Sequence, residues 1–163
     1  MSGLYDWLRL MVTVFALVIA HFLLRPLLGI RIEIDFLVLA LLLMSIRVRP
    51  GIGAVLGLLL GAAADAASPG GFGSAMLAMT LVGYVTSWLK AAFFAENAVL
   101  DGVVIFASAW GVILMRLFLS GRGFEAGAAI SALVWAPLSA AATALVGALL
   151  FAVLRPLLKP ARA

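Results

Sequence analysis

Cysteine is absent from the chain, and histidine occurs once, as His21. Without cysteine there can be no disulfide, no thiolate metal site and no cysteine nucleophile. A single histidine is also too few for a typical zinc or haem site. We therefore expect no metal ion and no cofactor. The sequence also has no Ser/His/Asp set and no phosphate-binding glycine loop beside a strand, so we expect no enzymatic activity.

Charged residues are scarce as well. They make up 11% of the 163 residues, whereas hydrophobic residues make up 66%. Soluble domains have roughly 25% charged and 45–50% apolar residues, and a soluble chain of this size leaves about 30% of its surface in water. The composition therefore predicts an integral membrane protein. The net charge of +4 does not indicate nucleic-acid binding, because the basic residues flank apolar runs, as they do at membrane surfaces.

Apolar runs separated by charged, glycine or proline residues predict an all-α membrane protein with six transmembrane helices in a compact bundle, a single domain over residues 1–163. The predicted spans are 8–24, 34–46, 52–67, 74–89, 98–119 and 129–154. Crossing about 30 Å of hydrocarbon takes about 20 helical residues, so the second to fourth spans need flanking residues to complete the crossing. The turn sequence from Ser68 to Gly73 joins the third and fourth spans into a helical hairpin, and Pro137 predicts a kink in the sixth.

Lysine and arginine are distributed unevenly between the two ends of these spans. Six spans place both termini on one side of the membrane, and the side richer in Lys and Arg is normally cytoplasmic. Seven basic residues lie on the side of the termini and three on the other: Arg9, Arg47, Arg49, Lys90, Arg155, Lys159 and Arg162, against Arg25, Arg31 and Arg122. This bias predicts that both termini are cytoplasmic. Five spans would put the termini on opposite sides and would require two runs to merge.

Glycine recurs every four residues in the third span, at Gly53, Gly57 and Gly61, and Asp65 continues the series. Four residues turn a helix by about 400°, so these residues form one slanted stripe. Small residues at this spacing let another backbone approach closely. We expect the stripe to pack against another helix of this chain or, alternatively, against a partner protein. A span so poor in bulky side chains is also expected inside the bundle rather than against lipid.

Of the charged residues that lie within or at the ends of the predicted spans, we single out Asp35, Asp65 and Arg116. A charged side chain in a bilayer is costly unless it is paired, so such residues are candidates for a functional site. The six-span arrangement brings all three towards the extracytoplasmic end, and we expect Asp65 or Asp35 to pair with Arg116. Alternatively, each carboxylate caps a helix end or meets headgroup water. We interpret His21 as an interfacial residue rather than a proton relay.

Several motifs follow one another between residues 34 and 90, and their order and spacing resemble the MreD family of rod shape-determining proteins. The first span and the last two match this family by hydropathy alone. The motifs are an aspartate that opens an apolar span (Asp35), a charged break (Arg47-Val-Arg49), the glycine stripe ending at Asp65, the turn ending at Gly73, and an apolar helix with Gly83-Tyr84.

The resemblance implies a non-enzymatic component of the bacterial elongation machinery, located in the inner (cytoplasmic) membrane. It implies MreC as a direct partner, and through MreC a link between MreB filaments and the synthases RodA and a class B penicillin-binding protein. It also implies a fold similar to the substrate-binding subunits of energy-coupling-factor transporters. Carried onto this chain, the resemblance leads us to expect MreC in the groove beside Gly57, Gly61 and Asp65. Gly53, Gly73 and Tyr84 are further partner-binding or helix-packing candidates.

A rival interpretation is a substrate-binding membrane subunit of a small-molecule transporter, which would have a similar size and number of spans. Such a subunit needs polar groups that converge on a ligand cavity. This chain offers few of them: Asp35, Asp65, Arg116, Tyr84 and His21.

Overall fold

The computed structural model describes residues 2–28, 33–68, 72–89, 98–121 and 127–158, which are helical apart from short connections and contain no strand. This confirms the all-α class. The helices are α1 Ser2–Leu28, α2 Phe36–Ser45, α3 Pro50–Ala66, α4 Ser74–Trp88, α5 Ala98–Leu119 and α6 over residues 128–158. Helix α6 consists of Ala128–Ile130, five residues of π-helix at Ser131–Trp135, and Ala136–Leu158.

Three of these helices are long and apolar enough to cross a membrane. They contain the segments Trp7–Leu24, Val99–Leu119 and Ala128–Leu154, each with a mean hydropathy of 2.1. Helices α2 and α3 are apolar but shorter, with 10 and 17 residues. At a rise of 1.5 Å per residue α2 is about 15 Å long, half the thickness of the hydrocarbon core. Length and composition therefore account for three crossings, and the count of six remains a prediction.

Helix α2 forms the centre of the fold. Every residue from Leu37 to Ile46 is buried, and the helix contacts α1, α3, α4, α5 and α6. Its sequence is apolar all round, which suits a helix that no water or polar surface touches on any side. The short second run of the sequence is thus the core helix around which the others pack.

Helices α3 and α4 form a hairpin, as the turn sequence predicted, although residues 69–71 of that turn lie outside the described residues. Helix α3 begins at Pro50, whose missing N–H is not needed in a first helical turn. Its buried residues are confined to one face, Gly53, Gly57, Gly61, Ala64 and Asp65. Bulky residues such as Leu59, at 61% exposure, cover the opposite face. The expectation that the whole of this helix lies inside the bundle is therefore wrong; only its glycine face does.

The π-helical segment of α6 ends two residues before Pro137. Proline has no N–H to donate, and its ring clashes with the carbonyl group four residues earlier in a regular helix. The wider turn is accompanied by a hydrogen bond from the Ala136 N–H to the Ser131 carbonyl, five residues back. The sequence predicted a kink at Pro137; the structure shows a local widening of the helix in the turn before this residue.

Candidate functional site

The glycine face of α3 is filled by α4 of the same chain. A Cβ atom added at Gly61 would lie 2.5 Å from the Ala75 carbonyl oxygen, and one at Gly57 would lie 2.9 Å from the Thr80 Cα. Real Cβ atoms do not approach backbone this closely, so only glycine fits at these positions. The stripe is a helix-packing face of the chain itself. The groove in which we expected MreC to dock is therefore already occupied by α4.

On α4, Gly83 likewise allows the backbones of α3 and α4 to approach closely. A Cβ at Gly53 would lie 2.6 Å from the Gly83 carbonyl oxygen, and one at Gly83 would collide with the Gly53 carbonyl oxygen. The Ser87 hydroxyl, which donates to the Gly83 carbonyl oxygen at 2.8 Å, also lies against Gly53. Sequence reasoning did not give these α4 residues a packing role. The signal was present, because the small residues Ala75, Gly83 and Ser87 share the four-residue spacing of the α3 stripe.

Asp65 closes the hairpin at the far end of the stripe. Its carboxylate is 3% exposed, and Oδ2 accepts hydrogen bonds from the backbone N–H groups of Gly73 at 2.8 Å and Met76 at 3.1 Å. The Ala75 N–H donates to both carboxylate oxygens at 3.1 Å. Gly73, with a φ of 100°, is the N-cap residue of α4 and has no side chain that could accept these bonds. Asp65 therefore acts as the cap of the following helix, where the positive end of the helix dipole also favours its charge.

Asp35 caps α2 in a similar way, but from its own N-cap position. Its Oδ1 accepts from the N–H groups of Leu37 at 3.1 Å and Val38 at 3.2 Å. Its backbone N–H donates to Thr143 Oγ1 of α6 at 3.0 Å, and His21 Nδ1 of α1 lies 3.6 Å from its Oδ1. Asp35 thus joins α1, α2 and α6 at one end of the fold.

The expected ion pair with Arg116 is not formed. Among the described residues neither Asp35 nor Asp65 lies within ion-pair distance of the Arg116 guanidinium group. Backbone N–H groups satisfy both carboxylates instead, which is the helix-capping alternative. Arg116 lies in the last turn of α5, where the helix dipole favours a positive charge. The two carboxylates are thus engaged in helix capping.

The structure also gives the exposure of two other candidate residues, His21 and Tyr84. His21 is 4% exposed, so its side chain faces the interior of the fold. Tyr84 is 47% exposed and lies on the outward face of α4, away from the glycine contact. Several residues that support the predicted orientation lie outside the described residues: Arg31, Lys90, Arg122, Lys159 and Arg162.

The described residues contain no group of three or more acidic or histidine side chains that could hold a metal ion. The hydrogen bonds of the Asp65 carboxylate join α3 to α4, and the hydrogen bond from the Asp35 N–H to Thr143 joins the start of α2 to α6. This arrangement suits a protein that holds a fixed shape within a bilayer.

Comparison with known proteins adds the family. The family described as rod shape-determining protein MreD matches residues 1–159, nearly the whole of the 163-residue chain. No curated protein and no solved structure matches the chain. The match includes α1, α5 and α6, for which the sequence alone offered only hydropathy. The family comprises structural proteins that determine cell shape and is not a known enzyme family. The chain therefore belongs to the MreD family of rod shape-determining membrane proteins.

Proposed function

We propose that the chain is a component of the bacterial elongation machinery in the inner membrane. There it binds MreC and helps couple MreB filaments to the peptidoglycan synthases RodA and a class B penicillin-binding protein. The family match over residues 1–159 is the observation that carries this proposal. The three long apolar helices support the membrane location. The chain maintains rod shape by holding other proteins in place and not by catalysis.

The topology we propose is six crossings with both termini cytoplasmic, in a bundle similar to the substrate-binding subunits of energy-coupling-factor transporters. Helix α2 is too short to cross alone, but the non-helical residues 33–35 before it can add up to about 10 Å. Non-helical backbone at membrane depth needs hydrogen-bond partners. The N–H groups of Glu33 and Asp35 donate to Ser139 Oγ at 3.1 Å and Thr143 Oγ1 at 3.0 Å. These bonds support a second crossing that begins with unwound backbone.

Reporter fusions test this topology. A reporter that is active only in the cytoplasm should be active at both termini, because six crossings return the chain to its starting side. Reporters that place the two termini in different compartments would contradict the six-span proposal. They would leave membership of the family and the all-helical fold untouched.

Because α4 fills the glycine groove, we propose that MreC contacts the outward face of the α3–α4 hairpin. Tyr84 lies on this face, and its hydroxyl forms no hydrogen bond in the described part of the chain. Exposed apolar residues surround it, with Leu81 at 49% and Val85 at 42% exposure. Tyrosine is enriched in protein interfaces because its ring gives contact area and its hydroxyl can bond to the partner.

Affinity purification of the full chain in mild detergent tests both the partner and the surface. MreC should be recovered with the wild type and with the control variant Phe15→Ala, which removes a more exposed aromatic side chain from α1. Tyr84→Ala should weaken MreC binding by about 2 kcal/mol, roughly thirtyfold, as a buried interface tyrosine does. No MreC with the wild type would overturn the proposed function. Equal recovery with both variants would overturn only the α4 surface.

A further inference from the structure

The first part of α6 lies outside the packed core. Each residue from 128 to 135, which we call the leading segment, is exposed or half-buried. From Ala136 onwards one face of the helix is buried, and the Asp35 N–H donates there to Thr143 Oγ1 at 3.0 Å. The boundary between the two parts coincides with the end of the π-helical turn Ser131–Trp135. An irregular turn therefore joins the leading segment to the packed part of α6.

Helix α5 shows how far the leading segment projects. The two helices pack together, and residues 120–127 connect them as antiparallel neighbours. A Cβ atom added at Gly147 would lie 3.0 Å from Ile105 Cδ1, so these two residues face each other. Counting along both helices from this contact places Leu119, the last residue of α5, opposite Leu133. Residues 128–132 therefore extend beyond the end of α5.

The apolar part of α6 is longer than a bilayer is thick. It runs over 27 residues, Ala128–Leu154, whereas that of α5 runs over 21 residues, Val99–Leu119. At a rise of about 1.5 Å per residue these lengths are about 40 Å and about 31 Å, against about 30 Å of hydrocarbon. Helix α5 therefore fits the bilayer, and α6 has a surplus of about 10 Å. The register with α5 places most of this surplus in the leading segment.

A helix that is longer than the bilayer tilts, bends or thickens the membrane around it. Tilting α6 alone would open the close contacts of Gly147 with Ile105 and Leu39. Tilting the whole fold would keep these contacts but would leave α5 too short to cross. A bend at Ser131–Trp135 avoids both problems, because it moves only the residues that lie outside the packed core.

The regular hydrogen bonding of the backbone is interrupted where the leading segment joins the packed part. In a regular α-helix the Ala132 carbonyl would accept from the Ala136 N–H, but this N–H donates to the Ser131 carbonyl oxygen instead. The Leu133 carbonyl would accept from residue 137, which is Pro137 and has no N–H. Two successive bonds of the regular helix are thus replaced or lost, and helices bend at such positions.

We propose that the leading segment is a hinge that fits α6 to the thickness of the bilayer. In a thick bilayer it continues α6 in a straight line. In a thin bilayer it turns at Ser131–Trp135 towards the membrane plane, so that its apolar face contacts the acyl chains below the headgroups. This face consists of Ile130, Leu133 and Val134, which are 60%, 74% and 45% exposed. The proposal requires only that α5 and α6 cross the bilayer, so it does not depend on MreC.

Spin-label distances in the full chain test the hinge. The chain has no cysteine, so cysteines introduced at the exposed residues Ala129 and Leu149 are the only labelling sites. In a straight helix these residues are about 30 Å apart, and a bend of about 60–90° at the hinge shortens this distance by about 3–6 Å. Pulsed electron paramagnetic resonance measures the distance in nanodiscs of long-chain (dierucoyl) and of short-chain (dimyristoleoyl) phosphatidylcholine.

The proposal predicts the straight distance in the long-chain bilayer and the shortened one in the short-chain bilayer. Pro137→Ala supplies an N–H for the Leu133 carbonyl and should reduce the shortening, and removing Ala132 as well, which takes the extra residue out of the wide turn, should abolish it. Pro50→Ala, at the start of α3 where no N–H is needed, should respond as the wild type. Equal wild-type distances in the two bilayers, or a shortening as large in both α6 variants as in the wild type, would overturn the proposal.

Discussion

Replacing Asp65 by alanine removes the acceptor for three backbone N–H groups at the start of α4. The Ala75 N–H is buried, so leaving it without an acceptor costs about 1–3 kcal/mol. The N–H groups of Gly73 and Met76 are only partly buried and can reach water or headgroups, so each loses about 0.5–1.5 kcal/mol. The variant should therefore be less stable by about 2–6 kcal/mol. Asp65→Asn keeps one acceptor oxygen, and its loss should be about half as large.

Thermal unfolding of the purified full chain in detergent, followed by circular dichroism, measures this loss. For a chain of this length 1 kcal/mol corresponds to roughly 2–4 °C, so Asp65→Ala should lower Tm by at least about 4 °C, with Asp65→Asn in between. Thr80→Ala is the matched control on α4. Its hydroxyl donates at 2.6 Å to the Met76 carbonyl oxygen of its own helix, a bond that adds little stability. An Asp65→Ala protein as stable as Thr80→Ala would refute the capping role of Asp65.

Two further predictions concern contacts between helices. Gly57→Ala should destabilise the chain by about 1–3 kcal/mol, because the new Cβ collides with the Met79 carbonyl group of α4. Gly111→Ala is the control. It has open space at its Cβ and should be neutral or stabilising in the same thermal assay. Thr143→Val should lower stability by about 1–3 kcal/mol, because the Asp35 N–H loses its acceptor. Equal stability of the two glycine variants, or of Thr143→Val and wild type, would contradict these contacts.

Helix positions could be read from the sequence because apolar runs and their punctuation are local features. The bounds of the four middle helices lie within two residues of the predicted spans. The helix-packing role of Gly53, Gly57 and Gly61 also followed from spacing alone, since a four-residue repeat fixes one face of a helix. Spacing alone could not show whether another helix of this chain or a partner protein packs on that face. It depends on which helix the turn after Ser68 brings back onto that face.

The carboxylates show where local reasoning ends. Asp65 caps a helix that starts nine residues later, and Asp35 is held by Thr143, 108 residues away along the chain. A similar depth in the bilayer suggested an ion pair between a carboxylate and Arg116. Two residues at the same depth can still lie on different sides of the bundle, so depth alone does not place them in contact. Backbone N–H groups at a helix start lie closer to each carboxylate and are already oriented, so they satisfy it first. The burial of His21 was missed for the same reason, because residues distant in sequence enclose it.

The shape of cells that lack this chain tests the central claim most directly. If the protein determines rod shape as a member of the MreD family, its removal from its own host should turn rods into spheres. A copy of the wild type or of Gly111→Ala should restore the rods, whereas a copy with leucine at both Gly57 and Gly61, which forces α3 and α4 apart, should not. Cells that stay rod-shaped without the chain, or that the double leucine variant restores fully while it is present in the membrane, would contradict the account.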